Sequence, residues 1–169
     1  MLSKSKIQTQ KLAVRFAKKI LHFTLHTPHP KASIIALHGD LGAGKTTFIQ
    51  GFMKALGVKQ HITSPTFVIF RKYSIRVRGR AKSQKKKFLS PTLLARPYEN
   101  AYHFDLYRIH KPKEILNLGF KKIISDPRNI ILIEWPERIK KLLPKNTIWI
   151  YFEHGKNDKE RIVKINNNL

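Results

Sequence analysis

Apolar residues recur at two spacings along the chain, and each spacing predicts a different kind of element. From Leu12 onward, apolar side chains return at four-residue steps, which predicts a surface helix over about 9–21. The apolar and partly β-branched run 33–38 predicts a buried parallel strand. Helical spacing returns over 46–56 and stops at Gly57, a residue type that commonly follows a helix end. The first third of the chain therefore has the order helix, strand, helix.

Strand-like segments dominate the rest of the pattern. Pro65 prevents a continuing helix and predicts an extended run over 66–70. Alternating polarity predicts a strand that begins at residue 101, and the four apolar residues 130–133 predict a buried strand with an acid at its tip. Two short helices and two closing strands complete the predicted elements: 111–118, 136–142, 146–152 and 161–165. We expect the two closing strands to pair as a hairpin at the edge of the sheet.

Composition limits the class of protein and indicates that the chain could attract polyanions. The chain has 169 residues, which suits one domain, 1–169, and it contains no cysteine, which fits a reducing, cytoplasmic compartment. No window approaches the roughly 20 apolar residues of a membrane span, so we expect no membrane partner. Lys and Arg number 34 against 10 Asp and Glu. This surplus indicates either a nucleic acid nearby or a generally basic proteome.

One stretch, at about 74–99, differs in kind from the rest. The stretch from Arg71 to Arg96 inclusive contains ten Lys and Arg and no acidic residue, without helical or strand periodicity. We predict a basic, flexible insertion here. Three interpretations stay open: a solvated insertion, an arm that contacts RNA phosphates, and a lid over a bound nucleotide.

The glycine-rich stretch 39–46 has the spacing G-x-x-x-x-G-K-T, which predicts a phosphate-binding loop between a strand and a helix. Glycines let successive backbone amides face one centre, and the following helix aims its positive end at the same anion. Lys45 would contact the β- and γ-phosphates of a nucleoside triphosphate, and the Thr46 hydroxyl would bind Mg²⁺. The predicted cofactor-binding residues are Gly39, Asp40, Leu41, Gly42, Ala43, Gly44, Lys45, Thr46 and the adjoining Thr47.

Two carboxylates stand at the ends of predicted strands. Glu134 follows the apolar run 130–133, as expected of a Walker B acid that holds a metal shell or orients water. Asp105 lies at a strand's carboxyl end, where ligand-binding residues of parallel sheets gather. Thr66 could belong to a turn or to a switch-like loop near the γ-phosphate. Trp135 could be a core residue, a stacking platform or an interface residue.

Taken together, these motifs resemble the TsaE (YjeE-type) family of P-loop ATPases, which take part in making threonylcarbamoyladenosine in bacterial tRNA. The matching segments follow the family's order and cover most of the chain: 39–48, 56–57, 64–67, 103–108 and 133–137. The resemblance implies an α/β, P-loop NTPase-like three-layer domain with a central, mostly parallel sheet flanked by helices.

The resemblance also implies an activity and roles for residues. It implies weak ATP hydrolysis with Mg²⁺, in a complex with TsaD and TsaB that modifies position 37 of tRNA. Lys45 would hold phosphates, Thr46 and Glu134 would bind the metal, and Asp105 with Glu134 would form the catalytic pair. Trp135 would be required beside the nucleotide.

The interval between residues 73 and 103 departs from the family pattern, because the family usually has a short hairpin there. The longer basic segment 71–96 could hold tRNA at the complex. Two rival functions stay open. A small-molecule kinase would also be a P-loop domain of this size, with an Arg-bearing lid. A tRNA-binding module without turnover would be the non-enzymatic alternative.

Overall fold

The structure is a computed structural model that describes residues 1–26, 30–75 and 98–166. Most of the predicted insertion, including Arg76, Arg78, Arg80 and the three lysines 85–87, lies outside the described residues. Its two flanks are described and adjacent, because the Ile75 amide donates a 2.8 Å hydrogen bond to the Glu99 carbonyl.

Seven strands form one sheet, and its four central strands run parallel. The strands are β1 (Leu2–Ser3), β2 (Ser33–Gly39), β3 (Phe70–Ser74), β4 (Asn100–Asp105), β5 (Asn129–Glu134), β6 (Ile148–His154) and β7 (Arg161–Asn166). Their order in space is β1-β7-β6-β2-β5-β4-β3. The pairs β2–β5, β2–β6 and β4–β5 are parallel, and the outer pairs are antiparallel. The predicted mostly parallel central sheet is therefore confirmed. The closing strands pair as the predicted hairpin, but its edge position is wrong, because the short β1 pairs with β7 and forms that edge of the sheet.

Helices cover both faces of this sheet. They are α1 (Lys6–His26), α2 (Lys45–Ala55), α3 (Pro112–Asn117), α4 (Phe120–Ser125) and a 3₁₀ helix at Pro136–Leu142. One apolar cluster packs α1 and α2 against the sheet, and a second packs α3, α4 and the 3₁₀ helix against its other face. Within the described residues, no helix is long and apolar enough to cross a bilayer. The three-layer α/β architecture matches the expectation.

One predicted strand segment is wrong. Residues 66–69 form a turn, and β3 begins only at Phe70. The Val68 amide donates a 2.9 Å hydrogen bond back to the Pro65 carbonyl, and Ile69 has a left-handed φ of 65°. The apolar side chains of Phe67 and Val68 are exposed, so this segment packs little against the core.

The crossing of α1 over α2 requires a glycine. A Cβ at Gly51 would lie 2.5 Å from the backbone oxygen of Gln10. We expect Gly51→Ala to lower the free energy of unfolding by about 1–3 kcal/mol, because the backbone of α1 must move, even though Ala favours helices. Urea denaturation measures this, with Lys54→Ala, an exposed change on the same helix, as the control. Unchanged stability of Gly51→Ala would contradict the close approach.

Candidate nucleotide-binding site

Three neighbouring strands end at the same edge of the sheet and bring the predicted site together. β2 ends at Gly39, β4 at Asp105 and β5 at Glu134. In the register of the sheet, Asp105 lies beside Glu134, and Leu37 of β2 lies on the other side of Glu134. Carboxyl ends of parallel strands are where ligands bind in open α/β sheets. The two predicted carboxylates therefore meet directly beside the glycine loop.

The glycine loop depends on backbone conformations that other residues rarely adopt. Gly39 has a φ of 147°, and a side chain there would collide with the backbone oxygen of Phe152. Gly44 has a φ of 97° and caps the start of α2. The loop therefore turns from the end of β2 directly into the positive N-terminal end of the helix, an arrangement that suits an anion.

Lys45 is almost buried, with 4% of its surface exposed, and the loop itself binds its ammonium group. Its Nζ donates hydrogen bonds of 2.6 Å to the Gly39 carbonyl and 2.8 Å to the Asp40 carbonyl. Burial lowers the pKa of Lys45, and four nearby carboxylates oppose that effect: Glu134, Glu137, Asp105 and Asp40. The ammonium group lies at the base of the loop. Phosphate oxygens would compete with the two carbonyls for its hydrogen bonds.

Thr46 and Glu134 form a pair of oxygen ligands across the loop. The Thr46 hydroxyl donates to both carboxylate oxygens of Glu134, at 2.8 and 3.0 Å. Mg²⁺ prefers oxygen ligands and usually takes one or two from the protein, with waters and phosphates supplying the rest. Within the described residues, no group of three or more His, Cys, Asp and Glu side chains could hold a metal. A hydroxyl and a carboxylate beside a phosphate loop fit this way of binding Mg²⁺.

Asp105 connects the segment after α2 to the cleft. One of its carboxylate oxygens accepts hydrogen bonds from the Ser64 and Thr66 hydroxyls. The other accepts a 3.1 Å hydrogen bond from the Tyr107 amide. Thr66 therefore lies at the cleft in a turn held by Asp105. A switch-like role for this turn stays a prediction.

Trp135 forms a wall of the cleft. Its backbone is left-handed, with a φ of 59° and a ψ of 47°, directly before Pro136 starts the 3₁₀ helix. The Nζ of Lys45 lies 4.0 Å from its ring centre, and the Tyr107 ring lies 5.1 Å away. Trp135 is partly buried against the second apolar cluster and also lines the cleft, so its core contact is observed, whereas a role in stacking or at an interface stays a prediction.

The cleft between these elements has a volume of about 420 Å³. Its lining combines the loop, the switch-like turn and the two strand ends: Leu41, Gly42, Gly44, Lys45, Thr46, Thr47, Ser64, Thr66, Asp105, Tyr107, Glu134 and Trp135. Three predicted residues do not line it. Ala43 is buried, and Gly39 and Asp40 contribute the carbonyls that hold Lys45.

The family comparison agrees with this geometry. Residues 3–79 and 75–163 match the family described as "Threonylcarbamoyl adenosine biosynthesis protein TsaE". The chain belongs to the TsaE family. This membership, which the motifs predicted, is confirmed. The family belongs to tRNA threonylcarbamoyladenosine biosynthesis.

Similar proteins span most of the chain. The tRNA threonylcarbamoyladenosine biosynthesis protein TsaE of Haemophilus influenzae is 31% identical over 147 residues, which are 85% of this chain and 79% of that protein. The protein of the same name from Rickettsia prowazekii is 36% identical over 140 residues, covering 82% and 75%. The crystal structure of Bacillus subtilis YdiB superposes with a TM-score of 0.66 at 23% identity, over 99% of this chain and 83% of that one, which shows a shared fold.

Sequence reasoning missed three residues of this TsaE-family site. His103 has no exposed surface, and its Nε2 lies 2.9 Å from Oε1 of Glu134. Because an ionised carboxylate only accepts hydrogen bonds, Nε2 donates, and Nδ1 has no partner among the described residues. Ser64 shares the Asp105 carboxylate, and the guanidinium of Arg161 donates two hydrogen bonds to the Gly42 carbonyl at 2.9 and 3.1 Å. The matched segments contained His103 and Ser64, but nothing in the sequence pointed to Arg161.

The contact with Glu134 predicts that His103 orients the carboxylate, and the ATP hydrolysis proposed below would test this. We expect His103→Leu to reduce the turnover number for ATP by about tenfold, because Glu134 loses one of its two side-chain donors. Nucleotide affinity should stay within about twofold, because His103 does not line the cleft. His103→Gln can place an amide N–H near the Nε2 position and should recover part of the rate. Equal turnover in the Leu and Gln variants, measured with matched thermal stability, would contradict the role.

Proposed function

We propose that this protein binds ATP with Mg²⁺ and hydrolyses it slowly, acting with TsaD and TsaB in forming threonylcarbamoyladenosine at position 37 of tRNA. The observation that carries the proposal is the hydrogen bond from the Thr46 hydroxyl to Glu134, at the base of a phosphate loop that contains Lys45. A Walker-type lysine, a metal-binding hydroxyl and a strand-end carboxylate are the parts that P-loop ATPases use.

Each residue has a distinct task in this proposal. Phosphate oxygens bind to the amides of the glycine loop and of the N-terminal end of α2. Lys45 exchanges its two carbonyl partners for phosphate. Thr46 and Glu134 hold Mg²⁺, which neutralises charge that develops on the phosphates. Asp105 lies beside Glu134 and helps to orient the attacking water.

The contacts that Lys45 makes with the loop favour weak nucleotide binding by the isolated chain. Its ammonium already makes two short hydrogen bonds to the loop, so binding phosphate must replace existing contacts rather than satisfy an unpaired charge. Thr66 and Ser64 are likewise bound to one oxygen of Asp105, so a water held by that oxygen would replace one of them. Such replacements cost free energy in the isolated chain, and a partner that stabilises the rearranged turn would lower that cost.

An exposed apolar rim supports a protein partner at the mouth of the cleft. Phe67 is 83% exposed and Leu41 is 73% exposed, and Val68 and Tyr107 are also exposed. Leu41 and Tyr107 line the nucleotide cleft directly. Clustered exposed apolar side chains mark interaction sites. We therefore assign this rim to contact within the TsaD and TsaB complex, in the cytoplasm, where nucleotide state could alter the contact.

The deciding experiment is ATP hydrolysis by the purified chain, alone and with TsaD, TsaB and unmodified tRNA. Slow turnover that changes when the complex assembles is the expected result. Fast turnover indifferent to these partners, with phosphate transferred to a small molecule, would establish the kinase alternative instead. Normal threonylcarbamoyladenosine formation by a Lys45→Ala variant would establish the binding module without turnover.

A further inference from the structure

The outer side of α1 carries a continuous row of positive charge. Lys11, Arg15, Lys18 and Lys19 are exposed and follow each other at helical spacings, and Lys4, also exposed, precedes the helix. We call these five residues the basic face. The opposite side of α1 packs against α2 through buried residues: Ala13, Phe16, Ala17 and Ile20.

No acidic side chain pairs with the basic face in the part of the chain that the structure describes. The first acidic residue in the chain is Asp40, and the segments 27–29, 76–97 and 167–169 contain neither Asp nor Glu. Within the described residues, none of the ion pairs involves a residue of the basic face. Its charges therefore take no part in an internal salt-bridge network of side chains.

The charges of the basic face also act against the stability of the helix that carries them. Arg15 has like-charged neighbours at Lys11 and Lys19, four residues away on either side, and at Lys18, three residues away. Such pairs repel on a helix surface. The first turn contains no acidic residue to complement the helix dipole. Folding alone therefore does not explain the arrangement, whereas a bound polyanion would relieve the repulsion.

We propose that the basic face binds the phosphate backbone of a double-helical RNA, independently of base sequence. Phe16, the one aromatic residue between Lys4 and Lys19, is buried, and the partly exposed Phe23 lies one turn beyond Lys19, so base stacking on a single strand has no platform within the basic face itself. The apolar side of α1 is covered by α2, so it cannot insert into a bilayer as an amphipathic helix does. Double-helical RNA is bound largely through phosphates and sugars, which a row of lysines and an arginine can contact.

This inference adds a direct RNA contact to the proposed function and does not depend on ATP hydrolysis. The test compares two triple variants of the full chain that lose the same charge. One carries Lys11→Gln, Arg15→Gln and Lys18→Gln. The control carries Lys113→Gln, Lys121→Gln and Lys141→Gln, which lie on the helical layer across the sheet. A fluorescently labelled RNA hairpin is titrated with each protein at several salt concentrations.

The basic-face variant should lose at least about tenfold in affinity at low salt, and its slope of log K against log[salt] should become shallower by about 2 to 3. The control should shift the slope by less than about 1. Both variants should keep the parent's ATP turnover without RNA. A parent that hydrolyses no ATP would count against the proposed function and leave the RNA measurement standing.

Three outcomes would overturn the inference. The first is an equal loss of affinity in both triple variants, which would reflect net charge alone. The second is binding of the parent to vesicles of anionic phospholipid through the basic face, with no binding of the hairpin. The third is complete loss of RNA binding on neutralising the basic segment at Arg76, Arg78, Arg80 and 85–87, together with no loss in the basic-face variant.

Discussion

Replacing Lys45 with alanine should weaken ATP binding by about 100-fold or more while leaving the fold intact. The ammonium is the cation that the phosphate loop holds at its base, 2.6 Å from the Gly39 carbonyl and 2.8 Å from the Asp40 carbonyl. Without it, the phosphates meet two carbonyl oxygens with no cation between them. Binding of a fluorescent ATP analogue, followed by competition with ATP, measures the loss.

The control for this change lies on the same helix. Lys54→Ala removes an exposed lysine from the last turn of α2, far from the loop, and should leave ATP affinity within about twofold. Circular dichroism of both variants checks the fold. ATP affinity of Lys45→Ala equal to that of the Lys54→Ala control would show that Lys45 does not hold phosphate.

Replacing Glu134 with glutamine should have the opposite signature: nucleotide still binds, and turnover falls by about 100-fold or more. The amide oxygen can still accept the hydrogen bond that the Thr46 hydroxyl now gives to the carboxylate. The negative charge that would hold Mg²⁺ or orient water is lost. Steady-state hydrolysis and nucleotide affinity, measured over a range of Mg²⁺ concentrations, separate the two effects.

Glu153→Gln is the matched control, because Glu153 is an exposed residue of β6 paired with Lys164 on the surface. It should change neither affinity nor turnover measurably. Loss of nucleotide binding in Glu134→Gln as severe as in Lys45→Ala would contradict the separate roles of the two residues. Full turnover in Glu134→Gln would place the essential carboxylate elsewhere, with Asp105 the next residue to test.

The contact between His103 and Glu134 leads to a further prediction about the Glu134 variant. Thr46 and His103 approach the same carboxylate from the cleft and from the interior. If Mg²⁺ were bound by the Thr46 hydroxyl, the hydrogen bond from Thr46 to Glu134 would be lost. His103 would then be the side chain that fixes the orientation of the Glu134 carboxylate. Orientation by outer contacts commonly decides how well a metal-binding side chain performs. The His103 and Glu134 variants should therefore show coupled, rather than additive, losses of turnover.

The two ends of α1 differ from those that the apolar spacing predicted. The predicted helix over 9–21 exists, but it extends from Lys6 to His26. The Ser5 hydroxyl accepts a hydrogen bond from the Gln8 amide, and buried Thr9 bonds to Ser3 through its hydroxyl. The helix therefore begins at capping contacts that the apolar spacing does not register. Periodicity finds the buried side of a helix, whereas caps and neighbouring chain decide its ends.

The sequence by itself determined the phosphate loop, the strands and helices beside it, the strand-end carboxylates and the family. These features depend on residues close together in the chain, where glycine spacing and apolar periodicity act directly on the backbone. The tertiary structure alone decided three others. They are the turn over 66–69, where a strand was expected, the His103–Glu134 contact, and the hold of Arg161 on the Gly42 carbonyl. The reason is physical: each depends on partners that sheet register and loop closure bring together from distant parts of the chain, and no local pattern encodes those partners.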